Sequence, residues 1–274
     1  MLDIQILNNT KAITSKDTLG IFPLGKKGDE LKFKSLSGSD VTLYYGMTIN
    51  DSDRRNIITC ISYALNRIGY EQIEKIKNVP LRSIEDSGQI SFTTFRIKAS
   101  CISSKLYKTT REGRQVAKSL KKALHLLVDF NQINNAFTQI QNIAYKNGYI
   151  TFDIANILIN HIVNTRLPFR IGSTIIHTGF DYRLSFYVET HQYRFGYSEK
   201  KQWYPKQVYH LDKLLNGLRL EQAYTSQPAR TIKQIEKAFN NLHLKNENFP
   251  KYIYDKDKKF FYNQYKKAAD CNLF

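Results

Sequence analysis

Two ten-residue stretches of the chain match each other without gaps. They are KSLKKALHLL at residues 118–127 and KQIEKAFNNL at residues 233–242, in which two lysines, an alanine and a leucine are identical. Both stretches have apolar residues at helical spacing with lysines between them, which predicts two amphipathic helices. They begin 115 residues apart, which is an ordinary domain length. The 274-residue chain is therefore predicted to contain two units of similar build, the result of an internal duplication.

Helical spacing predicts the main elements of the first unit. An apolar helix is expected after Asn50, which together with Ser52 can cap its start. A short helix is expected over about residues 93–101, and a longer one runs from Arg114 to about Leu127 after a polar turn. Apolar residues on one side of the longer helix predict its buried stripe: Val116, Leu120, Ala123, Leu124 and Leu127.

A β-hairpin is expected directly after the longer helix. Lys146, Asn147 and Gly148 lie between aromatic-rich flanks, and Asn-Gly is a strong hairpin signal because both turn residues must take positive φ. Two short helices, a turn and a helix with cations opposite its apolar stripe are the outline of a helix-turn-helix, and the hairpin that follows is the wing of a winged helix. The first unit is therefore predicted to be a winged helix.

The second unit is predicted to repeat this order. Residues 173–193 are interpreted as a buried helix, although their β-branched and aromatic content leaves a strand open. A helix over residues 208–220 should end near Gly217, and residues 221–229 are expected to be a loop. The matching amphipathic helix follows, with a stripe of Ile232, Ile235, Phe239 and Leu242, and a second hairpin turns around residues 255–258.

The predicted fold class is thus α+β, with two tandem winged-helix domains. We expect an N-terminal arm over residues 1–42, a first domain over residues 43–165 and a second over residues 166–274. The arm and the domains together account for the whole chain, and each domain is long enough for its own core.

The positive charge of the chain is confined to two blocks. The formal net charge is +17, but residues 1–90 carry only +1 and residues 147–199 carry none. Residues 91–146 and residues 200–274 each carry +8. Two basic blocks are typical of two contacts with a polyanion, and two solvated faces without a partner are the alternative. Because each block contains one of the matched helices, double-stranded DNA is the predicted partner.

The candidate DNA-binding residues lie on the outward sides of the two helices and at the two hairpin turns. Arginine, glutamine and asparagine can make paired hydrogen bonds to purine edges, whereas lysine more often contacts phosphate. The set is Arg111, Arg114, Gln115, Lys118, Ser119, Lys121, Lys122, Lys146, Arg230, Thr231, Lys233, Gln234, Lys237, Asn240, Lys256 and Lys258.

No pattern of enzymatic residues accompanies this set. The six histidines form neither an HxH pair nor an HExxH motif, and the three cysteines are scattered, so we expect no catalytic residue, no metal and no cofactor. The sequence also has no apolar run of membrane-spanning length and no secretory signal at its start. We therefore expect a cytoplasmic protein that has no contact with a membrane.

The chain resembles plasmid replication initiators of the TrfA type, which belong to the tandem winged-helix Rep initiators. The resemblance lies in four short stretches: residues 21–28 (IFPLGKKG), residues 43–53 (LYYGMTINDSD), residues 92–97 (FTTFRI) and residues 119–124 (SLKKAL). It implies a protein without enzymatic activity that binds repeated sites, called iterons, at a plasmid origin and helps to open adjacent AT-rich DNA. It also implies recruitment of host helicase, and an exchange between dimers and monomers. Residues 18–22 (TLGIF) resemble peptides that dock on sliding clamps, and an arm packed on the domain is the alternative.

Other functions of a basic two-unit chain stay open at this point. A transcriptional regulator on the same scaffold would have the same sequence pattern. A relaxase, nuclease or integrase would differ by metal-dependent cleavage of DNA, and an RNA-binding or basic effector protein by the lack of a sequence preference.

Overall fold

The computed structural model of the protein divides into two compact units, one ending at Ile176 and the other beginning at His177. Helices and small antiparallel sheets alternate in both units, which confirms the predicted α+β class. The predicted domain boundary, between residues 165 and 166, lies outside the described residues. The structure describes residues 24–34, 40–65, 90–106, 113–130, 137–159, 176–190, 193–195, 202–204, 206–246 and 249–263.

The first unit contains two antiparallel sheets and three principal helices among its described residues. Its elements in chain order are β1 (Glu30–Lys34), β2 (Asp40–Tyr45), α1 (Asp51–Leu65), β3 (Phe92–Lys98), α2 (Ala99–Leu106), α3 (Gly113–Ala123), β4 (Leu126–Phe130), β5 (Phe137–Thr138), β6 (Ile140–Lys146) and β7 (Tyr149–Ala155). One sheet has the strand order β1-β2-β4-β5 and the other the order β3-β7-β6. Helix α1 packs against α3, and Ile57, Ile61 and Leu120 are fully buried in the core.

The start of α1 is fixed by a reciprocal pair of hydrogen bonds. The backbone N–H of Asp53 donates to Oδ1 of Asn50 over 2.9 Å, and the backbone N–H of Asn50 donates to Oδ2 of Asp53 over 3.2 Å. Two N–H groups that a helix start leaves without partners are satisfied in this way. The predicted cap at Asn50 is confirmed.

The second unit contains four helices and two small antiparallel sheets among its described residues. Its described elements in chain order are α4 (Gly179–Thr190), β8 (Tyr193–Phe195), β9 (Gln202–Tyr204), β10 (Val208–His210), α5 (Leu211–Leu218), α6 (Glu221–Ser226), α7 (Pro228–Lys245), β11 (Tyr252–Asp255) and β12 (Phe260–Asn263). Strands β10, β12 and β11 form a sheet in that order, and β8 pairs with β9. The core is rich in aromatic rings, with Phe239 lying 4.6 Å from Tyr252 and 5.2 Å from Phe261 between ring centroids.

The two units share an order of elements. In each, a helix, a strand, an eight-residue helix, a longer helix and a hairpin occur in that order along the chain. Further elements lie between them: β4 and β5 separate α3 from its hairpin, so the hairpin does not follow that helix directly as predicted, and β8, β9 and α6 are inserted in the second unit. In each, the strand before the eight-residue helix pairs with the last strand of the hairpin, so β3 pairs with β7 and β10 pairs with β12. The sequence of residues 173–193 was compatible with either a helix or a strand. The structure forms helix α4 over Gly179–Thr190.

The short helix predicted over residues 93–101 is wrong. Residues 92–98 form strand β3, in which Phe95 and Ile97 are buried and Thr94, Arg96 and Lys98 are exposed. This alternation has the period of two that a strand requires, and the seven residues pair fully with β7. The helix that follows begins only at Ala99.

Three further predicted boundaries are corrected. Helix α3 ends at Ala123, so Leu127 belongs to strand β4 and is 39% exposed instead of part of a buried stripe. The predicted loop over residues 221–229 contains α6 and the first turn of α7. The helix predicted over residues 208–220 is α5, which begins only at Leu211 because residues 208–210 form strand β10. It ends at Leu218, where Arg219 takes the left-handed conformation with φ of 54°.

Candidate nucleic-acid interface

Helix α3 presents an exposed polar face in the first unit. Val116, Leu120 and Ala123 are buried on its inner side, as their spacing predicts. Four of the predicted DNA-binding residues are exposed on the opposite side: Arg114, Gln115, Lys118 and Lys121. Arg111 lies outside the described residues.

Two residues predicted to point outward from α3 instead face α1. Ser119 is 1% exposed, donates its hydroxyl hydrogen to Oδ1 of Asp53 over 3.0 Å and accepts a hydrogen bond from the Asn56 side chain over 2.9 Å. The Lys122 ammonium lies 2.6 Å from Oδ2 of Asp53, and its side chain is 29% exposed. The prediction that Ser119 and Lys122 point outward is therefore wrong, because α1 covers a wider arc of α3 than the apolar stripe alone.

The Asp53 carboxylate is the centre of this buried polar cluster. It accepts hydrogen bonds from Lys122, from Ser119 and from the backbone N–H of Asn50, while only 6% of its side chain is exposed. A carboxylate loses its hydration on burial and is tolerated only when it is paired and hydrogen-bonded. The cluster therefore fixes the rotation of α3 about its own axis, and with it the direction of the exposed side chains.

The beginning of α3 lies beside the hairpin formed by β6 and β7, which we call the first hairpin. A methyl group at Gly113 would lie 2.8 Å from Cβ of Ala99 and 3.1 Å from the ring of Tyr145, so glycine permits this approach. The backbone N–H of Ala99 in turn donates to the carbonyl of Gly148 in the hairpin turn over 2.8 Å. Arg114 and Gln115 thus begin their helix next to the hairpin turn.

The turn of the first hairpin has the predicted geometry. Asn147 and Gly148 have φ of 51° and 76°, which two-residue turns of this type require, and Lys146 pairs with Tyr149 across the turn. Lys146 is exposed at the tip. The Asn-Gly signal therefore placed both the hairpin and its cation correctly.

Helix α7 presents the corresponding face in the second unit. Ile235, Phe239 and Leu242 are buried, and Ile232 is half-buried. The exposed side chains follow one another along the helix over about 15 Å at 1.5 Å per residue. They are Arg230, Lys233, Gln234, Lys237 and Asn240.

Thr231 does not belong to this exposed face. It is 3% exposed, and its hydroxyl donates to the backbone carbonyl of Gln227 over 3.0 Å. The predicted role of Thr231 in DNA contact is wrong, because the first turn of α7 is covered on the side that Thr231 occupies. Arg230, on the exposed side, donates to the side-chain oxygen of Gln227 over 3.0 Å.

The hairpin formed by β11 and β12, the second hairpin, has three exposed lysines in its turn. Lys256 and Lys258 are the predicted ones, and Lys259 takes positive φ of 52°. The carboxylate of Asp255 accepts hydrogen bonds from the backbone N–H groups of Asp257 and Lys258, each over 3.0 Å. These bonds order the turn, so the lysines extend from a defined backbone.

The junction of the second hairpin repeats that of the first. The backbone N–H of Leu211, the first residue of α5, donates to the carbonyl of Lys259 over 2.9 Å. Ala99, the first residue of α2, makes the equivalent bond to Gly148. In both units a hairpin turn is therefore tied to the strand–helix junction beside it.

The exposed cations of both helices and both turns are free of ion pairs within the described part of the chain. Arg96 and Lys98, which sequence reasoning did not select, share this property. Both lie on the exposed side of β3, and the alternation of residues 92–98 could have revealed them. Unpaired exposed cations keep their full attraction for a polyanion.

The described residues offer few groups for other chemistry. In these stretches, no three side chains among His, Cys, Asp and Glu lie close enough to hold a metal ion. Cys60 is fully buried, and burial raises the pKa of its thiol, which disfavours the nucleophilic thiolate. None of the helices described here combines the length and the hydrophobicity of a membrane-spanning segment.

No protein-family model matches this sequence, and no curated protein is significantly similar to it.

Proposed function

We propose that the protein is a sequence-specific double-stranded DNA-binding protein built from two winged-helix units. The observation that carries the proposal is the repeated arrangement of a cation-bearing helix packed on a hairpin whose turn also carries cations, with a backbone hydrogen bond that ties each turn to its strand–helix junction. Helix, strand, helix, helix and hairpin, with the first strand beside the last, is the arrangement that a winged helix requires.

Helices α3 and α7 would enter the major groove, which is wide enough for an α-helix. Arg114 and Gln115 in one helix, and Gln234 and Asn240 in the other, have the hydrogen-bonding groups that read purine edges. Lys118, Lys121, Lys233 and Lys237 would hold phosphates. Each good base contact should contribute about 1–3 kcal/mol of discrimination.

We further propose that the DNA consists of repeated sites at a plasmid origin, where the protein initiates replication in the cytoplasm. The support for this step is the resemblance of the chain to TrfA-type initiators, with host helicase and sliding clamp as partners and a dimer in equilibrium with a monomer. A winged-helix transcriptional regulator is the alternative that uses the same interface.

The first test selects bound sequences from random duplex DNA and then titrates the selected site in a gel-shift assay. Replacing Lys233 and Lys237 with Ala should weaken binding by at least tenfold. Replacing Lys26 and Lys27 with Ala removes the same charge from exposed positions outside α3, α7 and both hairpin turns, and should change affinity much less. Equal loss in the two variants, or no selected sequence, would contradict the proposal.

A second test separates an initiator from a regulator. Selected sequences that form direct repeats beside an AT-rich stretch are cloned into a plasmid without its own origin, and the protein is supplied in the same cell. Autonomous replication supports the initiator. Repression or activation of an adjacent promoter without replication supports the regulator.

A further inference from the structure

Three cations surround one tyrosine on the outer face of the β3-β7-β6 sheet. Lys98 lies directly opposite Tyr149, and Tyr149 lies directly opposite Lys146, so the three side chains form a row across the three strands. Arg96 is two residues before Lys98 and therefore lies on the same face. Arg96, Lys98 and Lys146 are all exposed, whereas Tyr149 is half-buried.

The Arg96 guanidinium lies over the ring of this tyrosine. Its central carbon is 4.3 Å from the centroid of the Tyr149 ring, within the range of a cation–π contact. This contact restrains the guanidinium, while its N–H donors can bind a phosphate through two parallel hydrogen bonds. One face of the Tyr149 ring is already covered by Arg96, which favours a phosphate contact over stacking of a base.

The position of the face relates it to the first hairpin. Lys98 immediately precedes Ala99, whose N–H is bound to the carbonyl of Gly148, and Lys146 is at the tip of the same turn. A DNA backbone that passes the hairpin turn would therefore meet Lys146 and Lys98 first and Arg96 one pair further along the sheet. The acidic residue nearest on this face, Asp153, is 8% exposed and accepts a hydrogen bond from the Asn142 side chain over 2.6 Å.

We infer that this sheet face binds the phosphate backbone of duplex DNA, independently of base sequence, through Arg96, Lys98 and Lys146. Tyr149 acts as a positioning residue that holds Arg96. The inference rests on the proposed DNA binding and extends the contact predicted at Lys146 to Arg96 and Lys98 on the neighbouring sheet face.

The experiment measures the salt dependence of binding to the selected duplex and to a scrambled duplex. The slope of log K against log salt is negative, and each lost phosphate contact reduces its magnitude by about 0.9. The triple variant with Arg96→Gln, Lys98→Gln and Lys146→Gln should therefore reduce this magnitude by about 2.7. The affinities for both duplexes should fall by the same factor, because the contact reads no base. Lys26→Gln with Lys27→Gln and Lys32→Gln removes the same charge from exposed positions and should keep the slope of the wild type.

Two single variants test the role of the ring. Tyr149→Phe keeps the aromatic face and should keep the wild-type slope. Tyr149→Leu removes the ring that restrains Arg96 and should lower the slope by up to one contact. Thermal melting of each variant establishes that the sheet is folded.

The outcomes separate this inference from the proposed function. An unchanged slope in the Arg96, Lys98 and Lys146 variant, with specific binding retained by the wild type, overturns the inference and leaves the proposed function in place. Absence of duplex binding by the wild type overturns both. Wild-type binding to anionic vesicles, but not to DNA, that the triple variant loses would overturn the inference by assigning the face to a membrane.

Discussion

The ammonium group of Lys122 lies 2.6 Å from the carboxylate of Asp53, which joins α3 to the beginning of α1 through a largely buried ion pair. Lys122 is one of four lysines or arginines within α3, but it faces inward and its charge is neutralised. Lys118 and Lys121, on the same helix, are exposed. Helix α3 thus separates a cation that stabilises the fold from cations that are available to a ligand.

Replacing Lys122 with Met should destabilise the first unit. The Asp53 carboxylate would remain buried without its charged partner, which costs about 3 kcal/mol. Urea denaturation measures the loss, and Asp53→Asn in the same chain should recover part of it. A Lys122→Met variant of wild-type stability whose DNA affinity falls like that of a Lys118 variant would show that Lys122 contacts the DNA.

Replacing Lys118 with Ala should instead weaken DNA binding and leave the stability of the first unit nearly unchanged. Its side chain is exposed, so the free energy of unfolding should change by no more than about 0.5 kcal/mol. The magnitude of the negative slope of log K against log salt should fall by about 0.9, because one phosphate contact is lost. Gel-shift titrations at several salt concentrations test this, with Lys26→Ala as a control of equal charge. A slope equal to that of the control would remove Lys118 from the interface.

Replacing Gly217 with Ala should destabilise the second unit. The new Cβ would lie 2.1 Å from the ring of Tyr187, and a rigid ring on α4 has little room to move away. Such overpacking costs about 1–3 kcal/mol. Thermal or urea unfolding measures it, with Asn216→Ala as an exposed control on the same helix. Adding Tyr187→Leu to Gly217→Ala should recover stability; no recovery would mean that the ring is not the obstacle.

The stability of the second unit should fall at alkaline pH. Burial raises the pKa of Tyr209 and the pKa of Tyr252, so both phenols stay protonated in the folded protein at a pH where an unfolded tyrosine, with a pKa of about 10, ionises. Stability is therefore retained below about pH 10 and lost as the pH rises above it. Urea midpoints between pH 8 and pH 11 measure the loss. Tyr252→Phe should show a smaller loss than the wild type, and an equal loss would exclude Tyr252 as a source.

Local signals predicted much of the fold. The cap at Asn50, the hairpin turn at Asn147 and Gly148, and the buried stripe of α7 each depend on neighbouring residues, and the structure confirms all three. Residues 92–98 alternate as a strand requires, but β3 was misread as helix because Phe95 and Ile97 belong to a strand that forms only by pairing with β7, about fifty residues away in the chain. Such distant partners cannot be read from one short segment.

The candidate interface was predicted only in part for a related reason. The residues that face outward depend on which helix covers the others, and α1 covers Ser119 and Lys122 through Asp53. A single helical stripe gives the centre of the buried side but not its width. Asp53 performs two roles together: it completes the start of α1 with Asn50, and it makes the interhelical contact with α3.

The bonds from Ala99 to Gly148 and from Leu211 to Lys259 join main-chain atoms only. They impose no demand on the side chains at their ends, which indeed differ between the two halves of the molecule. The internal duplication that the sequence predicts could therefore have produced two units whose amino-acid sequences diverged while their architecture was retained. We expect a short gapless match, like the one in the amphipathic helices, to remain after such divergence.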